Sequence, residues 1–162
     1  MQLEIHEIAP HEAPMSLLLE ADPSETSVLG YLSRSTCFLA TRAGRECGVA
    51  LVVRNNDAEL ELMNIAVVPE RQQAGIGTAL LQHVVEFARS AGAARLVVGT
   101  GTFGYQLKFY QRAGFRVIGV ERDHFLRNYA EPLFESGVQH KDMLRLAVDF
   151  TQQDAPGALH RA

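Results

Sequence analysis

The chain of 162 residues has only two cysteines, and no apolar stretch in it approaches the roughly 20 residues that a membrane span needs. Cys37 and Cys47 lack the spacing of a metal or redox motif, so we expect free thiols and a cytoplasmic protein. The N-terminus shows no basic stretch followed by an apolar one, which predicts that there is no signal peptide. The sequence therefore predicts neither a metal site nor a membrane helix.

Positive charge is also in short supply. The chain has 15 lysines and arginines and 19 acidic residues, which gives a formal net charge of −4. Because nucleic-acid binding needs a basic face, we expect no nucleic-acid partner. A hydrophobic content of 47% and a charged content of 21% are typical of a globular protein. The length predicts one domain over residues 1–150, and we expect the polar tail at residues 151–162 to be flexible.

The first half of the chain predicts antiparallel strands, with helices inserted after the first strand. Alternation of apolar and polar residues indicates four strands in this half. These strands are residues 3–8, 36–41, 47–53 and 59–68. Turn-forming residues at 43–45 and 55–57 separate the last three strands. A short helical stretch at 15–21 precedes a helix that runs to about Ser33, and Asp22 is typical of its N-cap.

The second half of the chain alternates helices and strands. Its helices are residues 75–89 and 105–113, and its strands are residues 95–98, 115–120 and 142–148. A long irregular insert runs from Glu121 to His140, between the last two of these strands. Strands first, followed by alternating strands and helices, predict a mixed α/β (α+β) sheet with helices on both faces.

Two glycines, Gly75 and Gly77, lie where the strand at 59–68 gives way to a helix. Glycine lets a ligand approach the backbone closely, and a helix start carries unpaired N–H groups and partial positive charge. A phosphate or a pyrophosphate fits such a place. An ordinary strand-to-helix turn, with glycine for close packing, explains the same spacing equally well.

A second glycine motif competes with the first. Residues 99–104 spell Gly-x-Gly-x-x-Gly between a strand and a helix, and Glu121 lies about 20 residues further on, as in a dinucleotide site. The following helix, 105–113, is short for such a site, and the motif lies in the second half of the chain. The antiparallel strands of the first half also differ from a doubly wound sheet. A nicotinamide-dependent oxidoreductase is therefore the weaker alternative.

Three motifs in order resemble those of the GNAT superfamily of acyl-CoA N-acyltransferases. They are Asn64-Ile65-Ala66-Val67 followed by Pro69, then Gln72-x-x-Gly75-x-Gly77, and then Phe109-Tyr110-x-x-x-Gly114-Phe115. The similarity extends over about Ile5 to Ala147, and the region from Asp123 to Met143 is similar to a subgroup of small bacterial members. The resemblance implies a twisted, mostly antiparallel sheet of about seven strands, splayed at its central strands.

The resemblance also implies acetyl-CoA as cosubstrate, with no metal. In the family, the strand equivalent to 59–68 carries a bulge and splays from the strand equivalent to 95–98, and the pantetheine arm lies in the gap. Ile65, Ala66 and Val67 would line this arm, and a backbone N–H near Val67 would bond the thioester carbonyl. The residues that would hold the pyrophosphate are Gln72, Gln73, Ala74, Gly75, Ile76, Gly77 and Thr78.

The reaction needs one side chain that takes a proton from the attacking amine and one that donates a proton or a hydrogen bond to the leaving thiolate. Tyr110 matches the tyrosine that contacts the leaving thiolate in the family, and packing against the sheet is the alternative role of its ring. Glu61 falls where histone-type members keep a glutamate base, although a strand bulge would reverse the face on which it lies. Alternative bases are Glu121, Asp123 and His124, and the last two are also weaker candidates for acceptor binding.

The match to the family has one departure. Many members have an asparagine before the helix at 105–113 that touches the pantetheine arm, and here the region holds Thr100 and Thr102 instead. A threonine hydroxyl replaces that contact, or the contact is missing. A non-catalytic CoA-binding sensor is therefore the second hypothesis beside the enzyme.

The acceptor is expected to be a primary amine that attacks the thioester directly in a ternary complex, because neither cysteine suggests an acyl intermediate. The insert from Glu121 to His140 joins the last two strands, so we expect it to cover the acceptor pocket. A homodimer through the last strands or through this insert is a further expectation.

Overall fold

The computed structural model describes residues 2–72 and 74–151, which form a seven-stranded mixed sheet with helices on both faces. The strands are β1 (Leu3–Ile8), β2 (Thr36–Arg42), β3 (Arg45–Arg54), β4 (Glu59–Val67), β5 (Arg95–Gly101), β6 (Arg116–Glu121), β7 (Phe134–Glu135), β8 (Val138–Gln139) and β9 (Met143–Asp149). The α-helices are α1 (Met15–Ala21), α2 (Glu25–Leu32), α3 (Ile76–Ser90), α4 (Tyr105–Arg112) and α5 (His124–Asn128). The predicted tail, apart from Thr151, lies outside the described residues.

The strand order β1-β2-β3-β4-β5-β9-β6 confirms the predicted mixed α/β fold. Neighbouring strands are antiparallel except β4 and β5, which are parallel. The strands β7 and β8 form a separate hairpin. No helix in the described part of the chain is both long and apolar enough to cross a membrane.

Strand β3 is buried on both faces and joins two cores. Ala50 and Val52 pack on the face that α3 and α4 cover, whereas Val49, Leu51 and Val53 pack under α1 and α2. This explains the continuous apolar run in β3, since a strand covered on both sides shows no alternation. Full burial of a valine or leucine contributes about 1.5–3 kcal/mol, so this strand is a major source of stability.

Helix α2 begins two residues later than predicted, because Ser24 and not Asp22 is its N-cap. The Ser24 hydroxyl accepts a hydrogen bond from the N–H of Ser27 at 3.1 Å. Asp22 is buried, and its carboxylate accepts hydrogen bonds from the N–H of Ser24 and from the hydroxyls of Ser27 and Tyr31. The carboxylate of Asp22 therefore belongs to a hydrogen-bond network that extends beyond the start of α2.

Two connections are more regular than the sequence indicated. The turn between β2 and β3 is a two-residue turn at Ala43 and Gly44, both with positive φ, so β3 starts at Arg45 and not at Cys47. The insert from Glu121 to His140 is not irregular throughout, because it contains α5 and the β7–β8 hairpin. The two-residue turn at Ala43 and Gly44 needs left-handed backbone conformations at both positions, and Ala43 gives little indication of this in the sequence.

The sheet splits between β4 and β5. The two strands pair over only four residues, from Glu59 opposite Arg95 to Leu62 opposite Val98. Beyond that point β4 continues along β3 and β5 continues along β9. The split confirms the splayed central strands that the resemblance implied.

A bulge in β4 lies at the start of the split. Leu51 of β3 pairs with Asn64, but the next residue, Val52, pairs with Leu62, so Met63 is an extra residue in β4. The bulge reverses the faces of the strand. Leu62 packs in the core under α3, whereas Asn64 bonds to groups of α1 and α2 on the other face. The expected bulge and its reversal of side-chain direction are both confirmed.

Candidate active site

A groove of about 1190 Å³ runs between the free edge of β4 and the helices α3 and α4, and we call it the long groove. Most of the predicted cofactor-binding residues line it. These are Ile65, Ala66, Val67, Gln72, Gly75, Gly77, Thr78 and Tyr110. The structure therefore brings the first two motifs together with the third, which begins more than 30 positions further along the sequence.

Bare backbone amides mark one end of the long groove. The first α-helical hydrogen bond of α3 runs from the N–H of Ala79 to the carbonyl of Gly75, so the three preceding amides have no acceptor within the helix. No side chain of the described residues caps this helix, and Gly75 has a φ of +80° with open space where a side chain would point. Lys108 and Arg112 of α4 line the same groove. Amides, helix dipole and cations together suit a phosphate-bearing ligand.

Three predicted loop residues differ from the others. The side chain of Ile76 is fully buried in the core, so only its backbone N–H can serve a ligand. Ala74 is exposed in the loop and is not among the residues that line the long groove. Gln73 lies outside the described residues. Gln72 has a structural contact as well, because its side-chain amide donates to the carbonyl of Val67 at 3.2 Å.

The free edge of β4 presents a hydrogen-bond donor to the split. Val68 donates its N–H to the carbonyl of Cys47, across from it on the β3 side, at 3.0 Å. Successive residues of an extended strand direct their N–H groups to opposite sides, so the N–H of Val67 points away from β3 and into the split. This is the amide for which the resemblance implied a bond to a thioester carbonyl.

A smaller cavity of about 70 Å³ lies in the split itself, and we call it the strand window. It is lined by Ala21, Leu62, Met63, Asn64, Ile65, Val98, Gly99, Gln106 and Tyr110. Four of these residues, namely Ala21, Ile65, Gln106 and Tyr110, also line the long groove. The strand window therefore connects the groove to the α1–α2 side of the sheet.

Tyr110 lies where the long groove meets the strand window. Its side chain is buried among Phe109 and Phe115, so the packing role considered for it is present in the structure. Burial raises the pKa of Tyr110 well above its ordinary value. The phenol therefore keeps its proton at neutral pH and can donate a hydrogen bond to a group in either cavity.

The second glycine motif is filled by side chains of the same chain. A methyl group added at Gly99 would overlap the side chain of Met143, and one added at Gly101 would overlap the ring of His140. At Gly104 it would overlap the carboxylate of Glu135. These side chains take the space beside the glycines, and β4 and β5 are the only parallel neighbours among the described strands of the main sheet, so the structure contradicts the dinucleotide interpretation. The Gly-x-Gly-x-x-Gly pattern instead accommodates the packing of the insert and of β9.

Glu61, the predicted base, lies on the paired part of β4. Its carboxylate accepts hydrogen bonds from Arg145 at 3.0 Å and from the side-chain amide of Asn55 at 2.9 Å. It lines neither the long groove nor the strand window as far as the described residues define them. Its role as a base remains a prediction.

Glu121 and Asp123 of the insert are exposed, and His124 at the start of α5 is half-buried. His124 bonds to Glu121 at 3.0 Å, and the N–H of Asp123 donates to Asp142 at 2.8 Å. Asp123 and His124 are not among the described residues that line either cavity, and their part in acceptor binding remains a prediction.

Of the two threonines that are candidates to replace the missing asparagine, Thr100 is buried and Thr102 is exposed. Thr100 is 4% exposed, and its hydroxyl has no hydrogen-bond partner within residues 2–72 and 74–151. A contact from this hydroxyl to a pantetheine arm also stays a prediction.

Sequence reasoning missed a network on the α1–α2 side of the sheet. Asn64 bonds to Tyr31, Tyr31 bonds to Asp22, and Asp22 also accepts from Tyr129 of the insert at 3.0 Å. The available signal was Asn64, a polar residue within the otherwise apolar stretch Leu62 to Val67. A polar side chain in such a strand needs buried partners.

Residues 33–117 match the model of the GNAT acetyltransferase domain. Most of the chain is also similar to an uncharacterised N-acetyltransferase of Bacillus subtilis, YvbK. The two are 40% identical over 134 residues, which cover 82% of this chain and 86% of that protein.

Solved structures agree with the sequence matches. An IAA acetyltransferase from Bacillus cereus has a TM-score of 0.88 and 39% identity over 91% of this chain and 99% of its own. A GNAT family acetyltransferase from Elizabethkingia anophelis, with acetyl-CoA bound, has a TM-score of 0.87 and 34% identity over 91% of this chain and 97% of its own. Together with the bare amides and the split sheet, these matches identify the chain as a member of the GNAT superfamily, an N-acetyltransferase that uses acetyl-CoA as its cosubstrate.

Proposed function

We propose that the protein transfers the acetyl group of acetyl-CoA to a primary amine by direct attack in a ternary complex. The observation that carries this proposal is the junction of two cavities at Tyr110. The long groove reaches it from the bare amides of α3, and the strand window reaches it from the opposite side of the sheet. A donor and an acceptor that enter from the two sides would meet at this point.

The long groove suits the cosubstrate along its length. The amides of Ile76, Gly77 and Thr78 would hold the diphosphate, with Lys108 and Arg112 supplying positive charge. The free edge of β4 would pair with the pantetheine arm as an added strand does, because its backbone groups face the split. Acetyl-CoA, when bound, supplies an activated carbonyl carbon.

The N–H of Val67 would stabilise the carbonyl oxygen of the thioester, and the hydroxyl of Tyr110 would stabilise the leaving sulfur. As the amine nitrogen bonds to the carbonyl carbon, negative charge grows on the carbonyl oxygen, and a fixed donor such as the Val67 amide stabilises it by about 3 kcal/mol. The carbon–sulfur bond then breaks and the thiolate leaves. Tyr110 would donate a hydrogen bond to that sulfur.

The raised pKa of Tyr110 limits its role to hydrogen bonding. A thiol of this kind has an ordinary pKa near 8.5, so complete transfer of the phenolic proton to the thiolate would be uphill. The proton that the amine nitrogen loses on forming the amide is instead the one that the thiolate finally takes up. Glu61 remains our candidate for the base that removes it, with Glu121, Asp123 and His124 as alternatives.

A panel of amines tests the proposal. Polyamines, aminoglycosides, amino acids and peptides would each be incubated with acetyl-CoA, and N-acetylated products would be detected by mass spectrometry. For an accepted amine, Tyr110→Phe should lower kcat by about 100-fold, because the sulfur loses its donor. The Kd of acetyl-CoA, measured by calorimetry, should stay within about twofold of the wild-type value.

Two results would contradict the proposal. Saturable binding of acetyl-CoA without acetylation of any amine would favour the non-catalytic sensor. An unchanged kcat in Tyr110→Phe, with the protein folded, would remove Tyr110 from the reaction. The melting temperature of the variant shows whether the fold is retained.

We also propose that the protein forms a homodimer through β6. This strand is at the edge of the sheet, and Val117, Ile118 and Val120 on it are each about half exposed. An exposed apolar edge strand favours pairing with another chain. Light scattering should give twice the monomer mass, and Ile118→Lys should give the monomer.

A cytoplasmic location is part of the same proposal. Cys37 and Cys47 are free and buried, which fits a reducing compartment. Burial raises the pKa of Cys37 to about 11, so this thiol stays protonated and unreactive. Fractionation of cells that express the chain at its natural level should place it with cytoplasmic markers.

A further inference from the structure

Gln106 lies with Tyr110 at the junction of the long groove and the strand window. Four of the described residues line both cavities, and two of them, Ala21 and Ile65, are apolar. The other two, Gln106 and Tyr110, are polar and lie on α4 one helical turn apart. A group bound at the junction therefore meets two polar side chains of the same helix.

The side chain of Gln106 lies on the groove face of α4. Gln106, Phe109 and Tyr110 have the spacing of one helical face, and all three line the long groove. Leu107 and Gln111, on the opposite side of the helix, line neither cavity. Gln106 is exposed, and its amide has no hydrogen-bond partner within the part of the chain that the structure describes. Its N–H2 donor and its oxygen acceptor are therefore both open to a ligand.

The arm of CoA carries an amide close to its sulfur. Two methylene groups separate the sulfur from the nitrogen of that amide, so the two groups are about 4–6 Å apart. One turn of α4, from Tyr110 to Gln106, rises by about 6 Å. One turn in the other direction, Ala113 and Gly114 offer no side-chain hydrogen bond. With the sulfur at Tyr110, the spacing of the two residues on α4 matches the spacing of the sulfur and the amide on the arm.

An amide that pairs with β4 on one side needs a second partner on its other side. The N–H and the carbonyl of a planar trans amide point in opposite directions, so the free edge of β4 can satisfy only one of them. The other faces away from β4. No residue of β5 lines the long groove as far as the described residues define it, whereas seven residues of α4 do so. The group that faces away from β4 therefore meets α4, and without a partner there it would lose its hydration uncompensated.

We propose that Gln106 is a cosubstrate-binding residue, whose side-chain amide bonds to the amide of acetyl-CoA nearest to the sulfur. The inference rests on the proposed function, which places the sulfur at Tyr110 and the arm along β4. It deepens that function by naming the residue that holds the arm on the side away from β4. A fixed arm keeps the thioester beside the N–H of Val67, so Gln106 serves both affinity and orientation.

A matched pair of ligands tests the assignment. CoA carries the arm, and 3′-phosphoadenosine 5′-diphosphate is the same molecule without it. Gln106→Ala should raise the Kd of CoA by about tenfold in calorimetry, because the amide of the arm loses its partner. The Kd of 3′-phosphoadenosine 5′-diphosphate should stay within about twofold of the wild-type value. Equal losses for the two ligands would overturn the assignment, since Gln106 would then act on the phosphates or on the fold.

Gln111→Ala is the matched control. It makes the same change on the same helix, at an exposed residue that lines neither cavity. Both Kd values should stay within about twofold of the wild-type values in this variant. An unchanged Kd of CoA in folded Gln106→Ala, or an equal loss in Gln111→Ala, would overturn the inference. Melting temperatures show whether each variant is folded.

A spectroscopic readout needs no variant that could fail to fold. In a nitrogen–proton correlation spectrum of the wild-type protein, CoA should shift the side-chain amide signal of Gln106, and 3′-phosphoadenosine 5′-diphosphate should leave it in place. An unmoved signal at saturation with CoA would overturn the inference. Failure of the proposed function would look different, because acetyl-CoA would then support no acetylation of any amine, while the selective loss of CoA affinity in Gln106→Ala would remain.

Discussion

Two glycine-containing segments follow parallel strands and precede helices, yet they face opposite surroundings. At residues 72–78, before α3, the space beside Gly75 is open and the first amides of the helix lie on the long groove. At residues 99–104, before α4, the corresponding space is taken by Met143, His140 and Glu135. We call residues 72–78 the open segment, because a ligand has room there. We call residues 99–104 the filled segment, because side chains of the same chain occupy the space.

The difference shows that a glycine pattern indicates where another group comes close to the backbone. It does not show whether that group is a ligand or a side chain of the same chain. The ring of His140 stacks on Phe103 with a centroid distance of 4.2 Å, and Glu135 bonds to the same ring at 3.0 Å. In this fold the second segment fastens the insert to the sheet. The more elaborate motif serves packing, and the shorter one is the motif that we propose for ligand binding.

The largest expected effect comes from placing a negative charge in the open segment. Gly75→Asp should weaken acetyl-CoA binding by about 100-fold, because a carboxylate would lie beside the diphosphate. Gly75→Asn has the same shape without the charge, and both side chains tolerate the left-handed backbone of this position. Calorimetry should therefore show only a few-fold loss in Gly75→Asn, and equal losses in the two variants would contradict the anion site.

A change in the filled segment should act on the fold. Gly101→Ala should lower the free energy of unfolding by about 2 kcal/mol, because the added methyl overlaps the His140 ring. For a chain of this size the melting temperature should fall by about 4–8 °C. The Kd of acetyl-CoA for the folded protein should change by less than about twofold.

A second substitution sharpens this prediction. If the overlap is the cause, the double variant Gly101→Ala with His140→Ala should be more stable than the sum of the two single changes predicts, since the methyl then has room. Additive destabilisation would show that Gly101 is needed for some other reason. Thermal unfolding of all four proteins measures the coupling.

The smallest effect is expected at Gln72, whose side chain fastens the open segment to β4. Gln72→Ala removes the exposed hydrogen bond to the carbonyl of Val67, so the loop should be ordered less firmly before it binds. We expect acetyl-CoA to bind about threefold more weakly, with no change in melting temperature beyond about 2 °C. A loss as large as that of Gly75→Asp would show that Gln72 contacts the ligand directly.

Local features of the site could be predicted from the sequence. The bare amides at Gly75 follow from a helix that starts without a capping side chain, and that is a property of adjacent residues. The buried strand β3 and the helix α3 follow from their apolar periodicity. The bulge and the split were implied by the motif around Asn64, and the structure places the bulge at Met63.

Contacts between distant segments could not be predicted in the same way. Asp22 has the sequence of a helix cap, but its partners Tyr31 and Tyr129 are brought to it by tertiary packing. Gly101 and His140 meet only because β9 returns beside β5. The sequence shows the type of each residue. Which distant side chain packs beside a given glycine or carboxylate depends on the tertiary fold.

The central claim is that the amides at the start of α3 hold the diphosphate of the cosubstrate. The most direct measurement is a nitrogen–proton correlation titration with 3′-phosphoadenosine 5′-diphosphate, which is CoA without its pantetheine arm. We expect the largest shifts at the amides of Gly75, Ile76, Gly77 and Thr78, with residues 99–104 unmoved. Shifts confined to residues 99–104, or an unmoved helix start at saturation, would contradict it.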